Sequence, residues 1–241
     1  MATKRSEQSI LWFSDIDKGD VALVGGKNAS LGEMYQHLTK KGVRVPNGFA
    51  VTAAAYWAFL RHNRLDKKIK SSLHQLDVTD LRALARAGKH IRELILRGSF
   101  PRELEAEILA NYGGLTRGKR NTAVAIRSSA TAEDLPEASF AGQQETYLNV
   151  RGDKDVLKAV KKCLASLFTN RAISYREGHA FGHMNVALSV TVQEMVNAGS
   201  GVSGVLFTLD TESGFPGVVL VNASYGLGEY VVIGRVTPDQ F

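Results

Sequence analysis

The sequence predicts an α+β fold in which mixed β-sheets are flanked by helices. Short stretches with the apolar alternation typical of strands occur along the whole chain, at 49–51, 123–126 and 186–196. Other segments, at 79–97 and 153–167, have the three-to-four-residue periodicity of amphipathic helices. Because both patterns recur with turn residues between them, neither an all-helical nor an all-strand fold is expected.

Composition limits the class of protein. The chain has 241 residues, enough for one large core or two small ones, and its 44% apolar and 22% charged residues are typical of globular proteins. No apolar run approaches the roughly 20 residues of a membrane span. The N-terminal MATKRSEQSI lacks the hydrophobic segment of a secretory signal. We therefore expect no membrane partner and no export.

The single cysteine and the charge distribution add two expectations. Cys163 has no partner for an internal disulfide, so it fits a reducing, cytoplasmic compartment, and its apolar helical position predicts inert packing. The net charge of +6 is concentrated at 61–120, where 14 Lys and Arg face 7 Asp and Glu. These residues are scattered and lack interleaved aromatics, which favours a solvated surface over nucleic-acid binding.

A glycine pair followed by lysine is the first candidate anion site. Residues 21–24 are predicted to form a strand, and a helix is expected after Gly25-Gly26-Lys27 and before Gly42. The amides of a helix N-terminus and the charge of Lys27 would attract an anion. The pattern is not a Walker A loop, because Asn28 stands where Ser or Thr is needed. A plain turn with a surface lysine is the alternative.

The next 70 residues are interpreted as scaffold. A turn at 45–48 precedes the strand at 49–51, and Thr52 is expected to cap a helix. Two more helices are predicted, one capped by Thr79 and the other running from Pro101 to just before Gly113-Gly114. The first of these carries an apolar stripe made of Leu81, Leu84, Ala85, Ile91 and Ile95.

The stretch from Ala123 to Val150 is the second candidate anion site. A short strand delivers Arg127 into the small polar run 128–131, a loop containing Gly142 follows, and a strand returns at 145–150. A guanidinium at a strand end beside hydroxyls and a glycine loop suits polyphosphate, because it forks onto phosphate oxygens. A surface hairpin with Arg127 paired to Glu133 or Asp134 remains the alternative.

The last third of the chain contains a helical segment, a histidine pair and several strands. The histidines of Glu177-Gly178-His179 and Gly182-His183 are four residues apart, but the flanking glycines argue against a shared helix face, so no metal site is predicted. Strands are expected at 186–196, 204–209, 217–222 and 230–236. Glu229 would contact a ligand or close a turn.

Long motifs in this order resemble the nucleotide-binding domain of phosphoenolpyruvate synthases (pyruvate, water dikinases). The matching segments cover nearly the whole chain: VGGKNASLGEM at 24–34, VPNGFAVTAAAY at 45–56, the stretch 123–150, SGVLFTLDTESGF at 203–215 and GLGEYVVIGRVTPDQF at 226–241.

The resemblance implies an ATP-grasp-like fold and a set of ligand contacts. It divides the chain into a first subdomain at 1–115, a second with the phosphate loop at 116–196, and the start of a β-rich segment at 197–241. Lys27 and Arg127 would neutralise ATP phosphates as the catalytic groups. Gly142 would let the loop close, Thr146 would donate a hydroxyl contact, and Gln193 would hold adenine.

The resemblance also implies an enzymatic role. The family uses ATP and Mg²⁺ to convert pyruvate and water to phosphoenolpyruvate, AMP and phosphate through a phosphohistidine, a kinase reaction of gluconeogenesis. The partner domains that carry this histidine and bind pyruvate are not recognised in this sequence, so we expect an N-terminal fragment. Pyruvate phosphate dikinase, an antibiotic phosphotransferase or a non-catalytic nucleotide-binding fragment are the alternatives.

Overall fold

The structure is a computed structural model that describes residues 4–119, 121–131, 134–135, 138–139, 145–179 and 181–241. It contains two compact units, residues 1–195 and residues 196–241. Antiparallel sheets with flanking helices confirm the predicted fold class. Within the described residues no helix is long and apolar enough to cross a membrane.

The strands of the first unit form one five-stranded antiparallel sheet and one hairpin. In chain order the strands are β1 Ile10–Trp12, β2 Gly48–Val51, β3 Val124–Ala130, β4 Asp134–Leu135, β5 Ala138–Ser139, β6 Thr146–Val150 and β7 Leu188–Glu194. The large sheet has the order β1-β2-β7-β3-β6, and β4 pairs with β5. Strands from both sides of position 115 therefore share one sheet, and the three-part domain division stays a prediction.

In the part of the first unit that the structure describes, seven helices accompany this sheet. They are α1 Val21–Leu38, α2 Ala53–His62, α3 Leu65–Leu73, α4 Leu81–Arg97, α5 Arg102–Leu115, α6 Asp153–Ser166 and α7 Asn170–Gly178. Short 3₁₀ turns lie at Arg5–Glu7, Phe13–Asp15, Lys18–Asp20 and Thr39–Lys41.

One face of the sheet is apolar and forms the main core. Val124 and Ile126 of β3 and Val190 and Val192 of β7 are fully buried there. They belong to one cluster with buried side chains from α2 to α7, among them Phe59, Ile69, Ile91, Ile95, Ile108, Val160, Cys163 and Ile173. Since alternate residues of a strand point to opposite faces, the intervening residues of β3 and β7 lie on the other face.

Two predicted strands are helical in the structure. Residues 21–24 form the first turn of α1, and part of 230–236 lies in a short helix, α8 Gly228–Val232. A four- to seven-residue apolar run is compatible with either structure, and in both places the local pattern was read with the wrong period.

Helix boundaries differ from the sequence prediction at two places. Asp80, rather than Thr79, caps α4, because its carboxylate accepts from the amides of Arg82 and Ala83 at 2.9 and 3.0 Å. Leu81, which was assigned to the apolar stripe, is 74% exposed. Helix α5 continues to Leu115 instead of ending before the glycine pair.

Other local predictions are confirmed. Gly42 ends the first helical region with a φ of 85°. The side chain of Thr52 accepts from the amide of Ala55, as expected of the N-cap of α2. Cys163 is fully buried in the core.

The two histidines near α7 have different surroundings. His179 stacks on Tyr175 with ring centroids 4.1 Å apart. His183 instead accepts a hydrogen bond at Nδ1 from Nε of Arg176 at 3.2 Å, and its Nε2 lies 3.1 Å from Glu177. Arg176 is fully buried with its guanidinium over the ring of Phe168, and burial lowers its pKa to about 10.

The second unit is a three-stranded antiparallel sheet with α8. Its strands are β8 Val202–Phe207, β9 Leu220–Tyr225 and β10 Asp239–Gln240, in the order β10-β9-β8. Strands predicted at 204–209 and 217–222 are therefore present with shifted ends. Many of the unit's apolar side chains are exposed, including Val202, Leu206 and Val232.

Candidate functional site

The face of the large sheet opposite the core is polar along β3 and β7. Direct partners in the antiparallel register are Arg127 with Thr191 and Ser129 with Ser189. Opposed residues of an antiparallel pair share a face, so these four side chains form two adjacent rows. The hydroxyl residues are fully buried, while Arg127 is half-buried. A charged side chain therefore stands at the margin of a buried hydroxyl cluster.

The edge strand β6 extends the first row. Thr146 is the register partner of Arg127 on the side away from β7, and it is exposed. The row across three strands therefore reads Thr191, Arg127, Thr146. A hydroxyl and a guanidinium lie side by side at the open edge of this face.

Helix α1 covers this face, and Gly25 makes its close approach possible. The helix is interrupted at Gly25, which has φ 75° and ψ 162°, and resumes at Gly26. A β-carbon at position 25 would lie 2.6 Å from the carbonyl oxygen of Ser129 and 2.7 Å from that of Ala130. Only glycine fits this conformation and this contact. The interruption gives the resumed helix a new N-terminus against β3.

Asn28 fixes the resumed helix to the sheet. Its side chain donates from Nδ2 to the carbonyl oxygen of Val24 and to Oγ of Ser189, both at 3.0 Å. Its Oδ1 accepts from the hydroxyl of Thr191 at 2.7 Å. Its backbone amide donates to Oγ of Ser129 at 3.4 Å. These contacts hold the resumed helix, which also carries Lys27, against β3 and β7.

Gln193 lies on the same face, one row further along β7. It is the register partner of Ala125 and is 8% exposed. Its Nε2 donates to the carbonyl oxygen of Pro46 at 3.1 Å, which orients the amide. Among the described residues, this is the one hydrogen bond that the Gln193 side chain makes. An oriented amide of this kind is able to bind a planar polar ring.

The start of α1 is held by a second polar contact. Asp20 accepts from Nε of Arg5 at 3.2 Å and from Nη2 at 2.6 Å, and it also accepts from the amide of Asp17. Burial opposes ionisation of Asp20, but these hydrogen bonds outweigh it and hold its pKa below the ordinary value. The N-terminal segment is thus tied to the helix that carries Lys27.

Three of the five residues predicted as contacts, Arg127, Thr146 and Gln193, lie on the polar face. Lys27 lies on α1, the helix over this face, and the role of all four as ligand contacts stays a prediction. Gly142 and Glu133 lie outside the described residues, so the loop and the alternative pairing of Arg127 stay predictions. The described part of the chain contains no group of three His, Cys, Asp or Glu that would hold a metal ion.

Sequence reasoning missed the supporting residues Ser189 and Thr191 and the structural role of Asn28, whereas Ser129 belongs to the predicted small polar run 128–131. The signal was present in β7, where SVTVQ places polar residues at alternate positions and valines between them. A strand that alternates in this way has one apolar face and one polar face. In the sequence, Asn28 is distinctive only because a Walker A loop would have Ser or Thr at its position.

Comparison of the sequence with known proteins shows a family to which it is similar. Residues 21–241 match the family model described as pyruvate phosphate dikinase, AMP/ATP-binding domain. Three relatives named phosphoenolpyruvate synthase are 56% identical over 238 residues (Neisseria meningitidis serogroup B), 53% over 243 (Aquifex aeolicus) and 50% over 241 (Escherichia coli K12). The alignments cover 98%, 100% and 100% of this chain. They cover 30%, 28% and 30% of the relatives, so the chain spans less than a third of their length.

Proposed function

Because this chain belongs to the AMP/ATP-binding domain family of pyruvate phosphate dikinase, we propose that it binds ATP on the polar face of its large sheet. The observation that carries the proposal is that three residues from separate parts of the sequence share one face of the sheet, and that the helix carrying Lys27 covers this face. Lys27 lies on α1, Thr146 on β6, Arg127 on β3 and Gln193 on β7.

Each residue has a role that suits its position. Arg127 forks onto phosphate oxygens from the middle of the three-strand row, and Thr146 beside it donates a hydroxyl hydrogen bond. Lys27 adds a second positive charge next to the amides of the resumed helix, where an anion is favoured. Gln193 binds the adenine edge, and Gly142 lets the loop backbone close over the phosphates.

The donor set fits a triphosphate. Two cations, a hydroxyl and helix amides all donate, and a polyphosphate is acceptor-rich. Mg²⁺ is part of the proposal as a companion of the nucleotide, since this ion is commonly held through phosphate oxygens and few protein carboxylates. Phosphoryl transfer depends mainly on positioning and charge neutralisation, which Lys27 and Arg127 supply.

For the longer protein we propose the reaction of a phosphoenolpyruvate synthase. ATP, pyruvate and water would give phosphoenolpyruvate, AMP and phosphate, through a histidine and a pyruvate site on other domains, as part of gluconeogenesis. The relatives' names favour this branch over an antibiotic phosphotransferase. The lone Cys163 supports a cytoplasmic location.

Calorimetric titration of the 241-residue chain with ATP and Mg²⁺ tests the proposal. We expect saturable binding that Arg127→Ala weakens by about tenfold to a hundredfold, as for the loss of charge-assisted hydrogen bonds. Arg86→Ala is the matched control, because Arg86 is an exposed arginine on α4, in the helical layer. A folded chain that shows no ATP binding, or equal losses in both variants, would overturn the proposal.

A further inference from the structure

We propose that Asn28 is a positioning residue that sets the place of Lys27 relative to Arg127 through its hydrogen bond with Thr191. This role rests on the proposed ATP site and adds to it a residue that does not itself contact the nucleotide. Asn28 is fully buried, and Lys27 precedes it directly on the resumed helix.

The orientation of the Asn28 amide is fixed by its partners. Nδ2 donates to the carbonyl oxygen of Val24, which is only an acceptor, so Oδ1 must face Thr191. The second N–H of Nδ2 donates to Oγ of Ser189, and that hydroxyl donates in turn to the carbonyl oxygen of Val51. Exchanging the amide oxygen and nitrogen would set two oxygens against each other at Val24. The network therefore has one arrangement.

The network connects the two phosphate-binding cations by a short path. Thr191 is the direct register partner of Arg127 on β7, and its hydroxyl donates to Asn28 at 2.7 Å. Asn28 adjoins Lys27 in sequence. Ser129, two residues beyond Arg127 on the same face, accepts from the Asn28 amide. A shift of α1 along the sheet would thus break contacts to both β3 and β7.

A fully satisfied buried polar cluster defines position more strictly than apolar packing does. Apolar contacts tolerate small translations, whereas hydrogen bonds weaken steeply with distance and angle. Beside these hydrogen bonds and the close approach of Gly25 to β3, the contact between α1 and the sheet includes a small apolar cluster with Val24, Ala29 and Ala50. We infer that this small cluster stabilises the contact, and that the hydrogen bonds of Asn28 fix the position of α1 along the strands.

The test compares two substitutions of Thr191 that differ in one group. Thr191→Val removes the hydroxyl and keeps the branched shape, whereas Thr191→Ser keeps the hydroxyl. We expect Thr191→Val to weaken ATP binding by about fivefold, as for one lost hydrogen bond, and Thr191→Ser to bind within about twofold of the unsubstituted chain. Adenosine, which lacks phosphates, should bind all variants within about twofold of the unsubstituted chain, because only phosphate contacts are displaced.

Two further variants separate positioning from stability. Thr116→Val removes another buried hydroxyl, which donates to the carbonyl oxygen of Tyr112 at 2.9 Å on α5. It should lower the melting temperature and leave the ratio of ATP to adenosine affinity unchanged. Ser189→Ala, which removes the acceptor of Asn28 Nδ2, should lower that ratio and replaces Thr191→Val if the latter does not fold.

The outcomes are distinct. No ATP binding by the unsubstituted chain overturns the proposed function and the positioning role with it. ATP binding that Thr191→Val leaves unchanged overturns the positioning role alone. If Thr191→Val loses affinity for ATP and for adenosine equally, Asn28 contributes to folding only, and the positioning role is again overturned. The role is supported if Thr191→Val lowers the ratio of ATP affinity to adenosine affinity and Thr191→Ser keeps the ratio of the unsubstituted chain.

Discussion

Gly25 and Ser129 are in contact so close that no side chain fits between them: a β-carbon at position 25 would stand 2.3 Å from the Ser129 hydroxyl oxygen. Gly25 also has φ 75° and ψ 162°, a backbone conformation that is essentially restricted to glycine and costs another residue about 1–3 kcal/mol. The glycine pair of the sequence motif therefore serves a contact between a helix and a strand, which is a more specific requirement than flexibility.

We predict that Gly25→Ala destabilises the chain and weakens ATP binding, because the resumed helix must move away from β3. Thermal melting and ATP titration measure the two effects. Gly42→Ala is the control, since Gly42 has a φ of 85° but no other atoms near the place of its β-carbon. It should introduce the strain of a left-handed residue, about 1–2 kcal/mol, without a steric clash, and keep ATP affinity. Equal effects of the two substitutions on affinity would contradict the contact argument.

We predict that Arg127→Lys recovers only a small part of the affinity lost in Arg127→Ala. Lysine keeps the charge but not the planar fork that engages two phosphate oxygens at once. The measurement is the ATP dissociation constant, with an expected loss of about tenfold for the lysine variant. If Arg127→Lys binds ATP as tightly as the unsubstituted chain does, position 127 contributes charge alone.

His183 should make the stability of the first unit fall in mild acid. Burial and then the Arg176 charge lower the pKa of His183 from 6.5, and Glu177 opposes this shift only in part. The unfolded chain therefore binds more protons below about pH 6.5 than the folded chain does, and the free energy of unfolding decreases as the pH falls below that value.

Melting temperatures of the unsubstituted chain and of His183→Gln between pH 7.5 and 5 check this prediction. The glutamine variant is expected to be less stable at pH 7.5 but to have a smaller decrease on acidification, because it lacks the titrating group. Parallel curves for the two proteins would show that His183 does not titrate differently in the folded state.

Cys163 should not react with a thiol reagent in the folded chain. Burial, and after it the Glu145 carboxylate, raise the pKa of this thiol, and the thiolate is the reactive form. Labelling by an aromatic disulfide reagent should therefore proceed only as fast as the core opens, and completely in denaturant. Fast stoichiometric labelling under native conditions would be inconsistent with the packing of α6 in the core.

The elements with long periodic patterns could be predicted from the sequence, whereas the short apolar runs were predicted with mixed success: 49–51 is a strand as expected, but 21–24 is not. The periodicity of 79–97 and 153–167 extends over several turns, and both are helices. Residues 21–24 are too few to show a period, so their apolar run does not distinguish a helical turn from a strand. At α4 the choice between Thr79 and Asp80 as cap depended on which carboxylate or hydroxyl faced the first amides, a local competition that sequence does not reveal.

The candidate site was predictable in its charged residues and not in its support. Lys27 and Arg127 occur in patterns that suit anions, and the family resemblance pointed to Thr146 and Gln193. Their common face depends on the strand order β2-β7-β3-β6, which brings together residues far apart in sequence. Asn28 could be recognised as a hub only after β7 was placed beside β3, because its partners Ser189 and Thr191 are over 160 residues away.

The alternation along β3 has a consequence for systematic mutagenesis. Val124 and Ile126 belong to the core, whereas Arg127 and Ser129 belong to the polar face. Substitutions made one by one from 124 to 130 should therefore give two interleaved series of phenotypes. Even-numbered positions should change the melting temperature alone, whereas odd-numbered positions should also change ligand affinity, so that neighbouring residues on one strand report on different properties of the molecule.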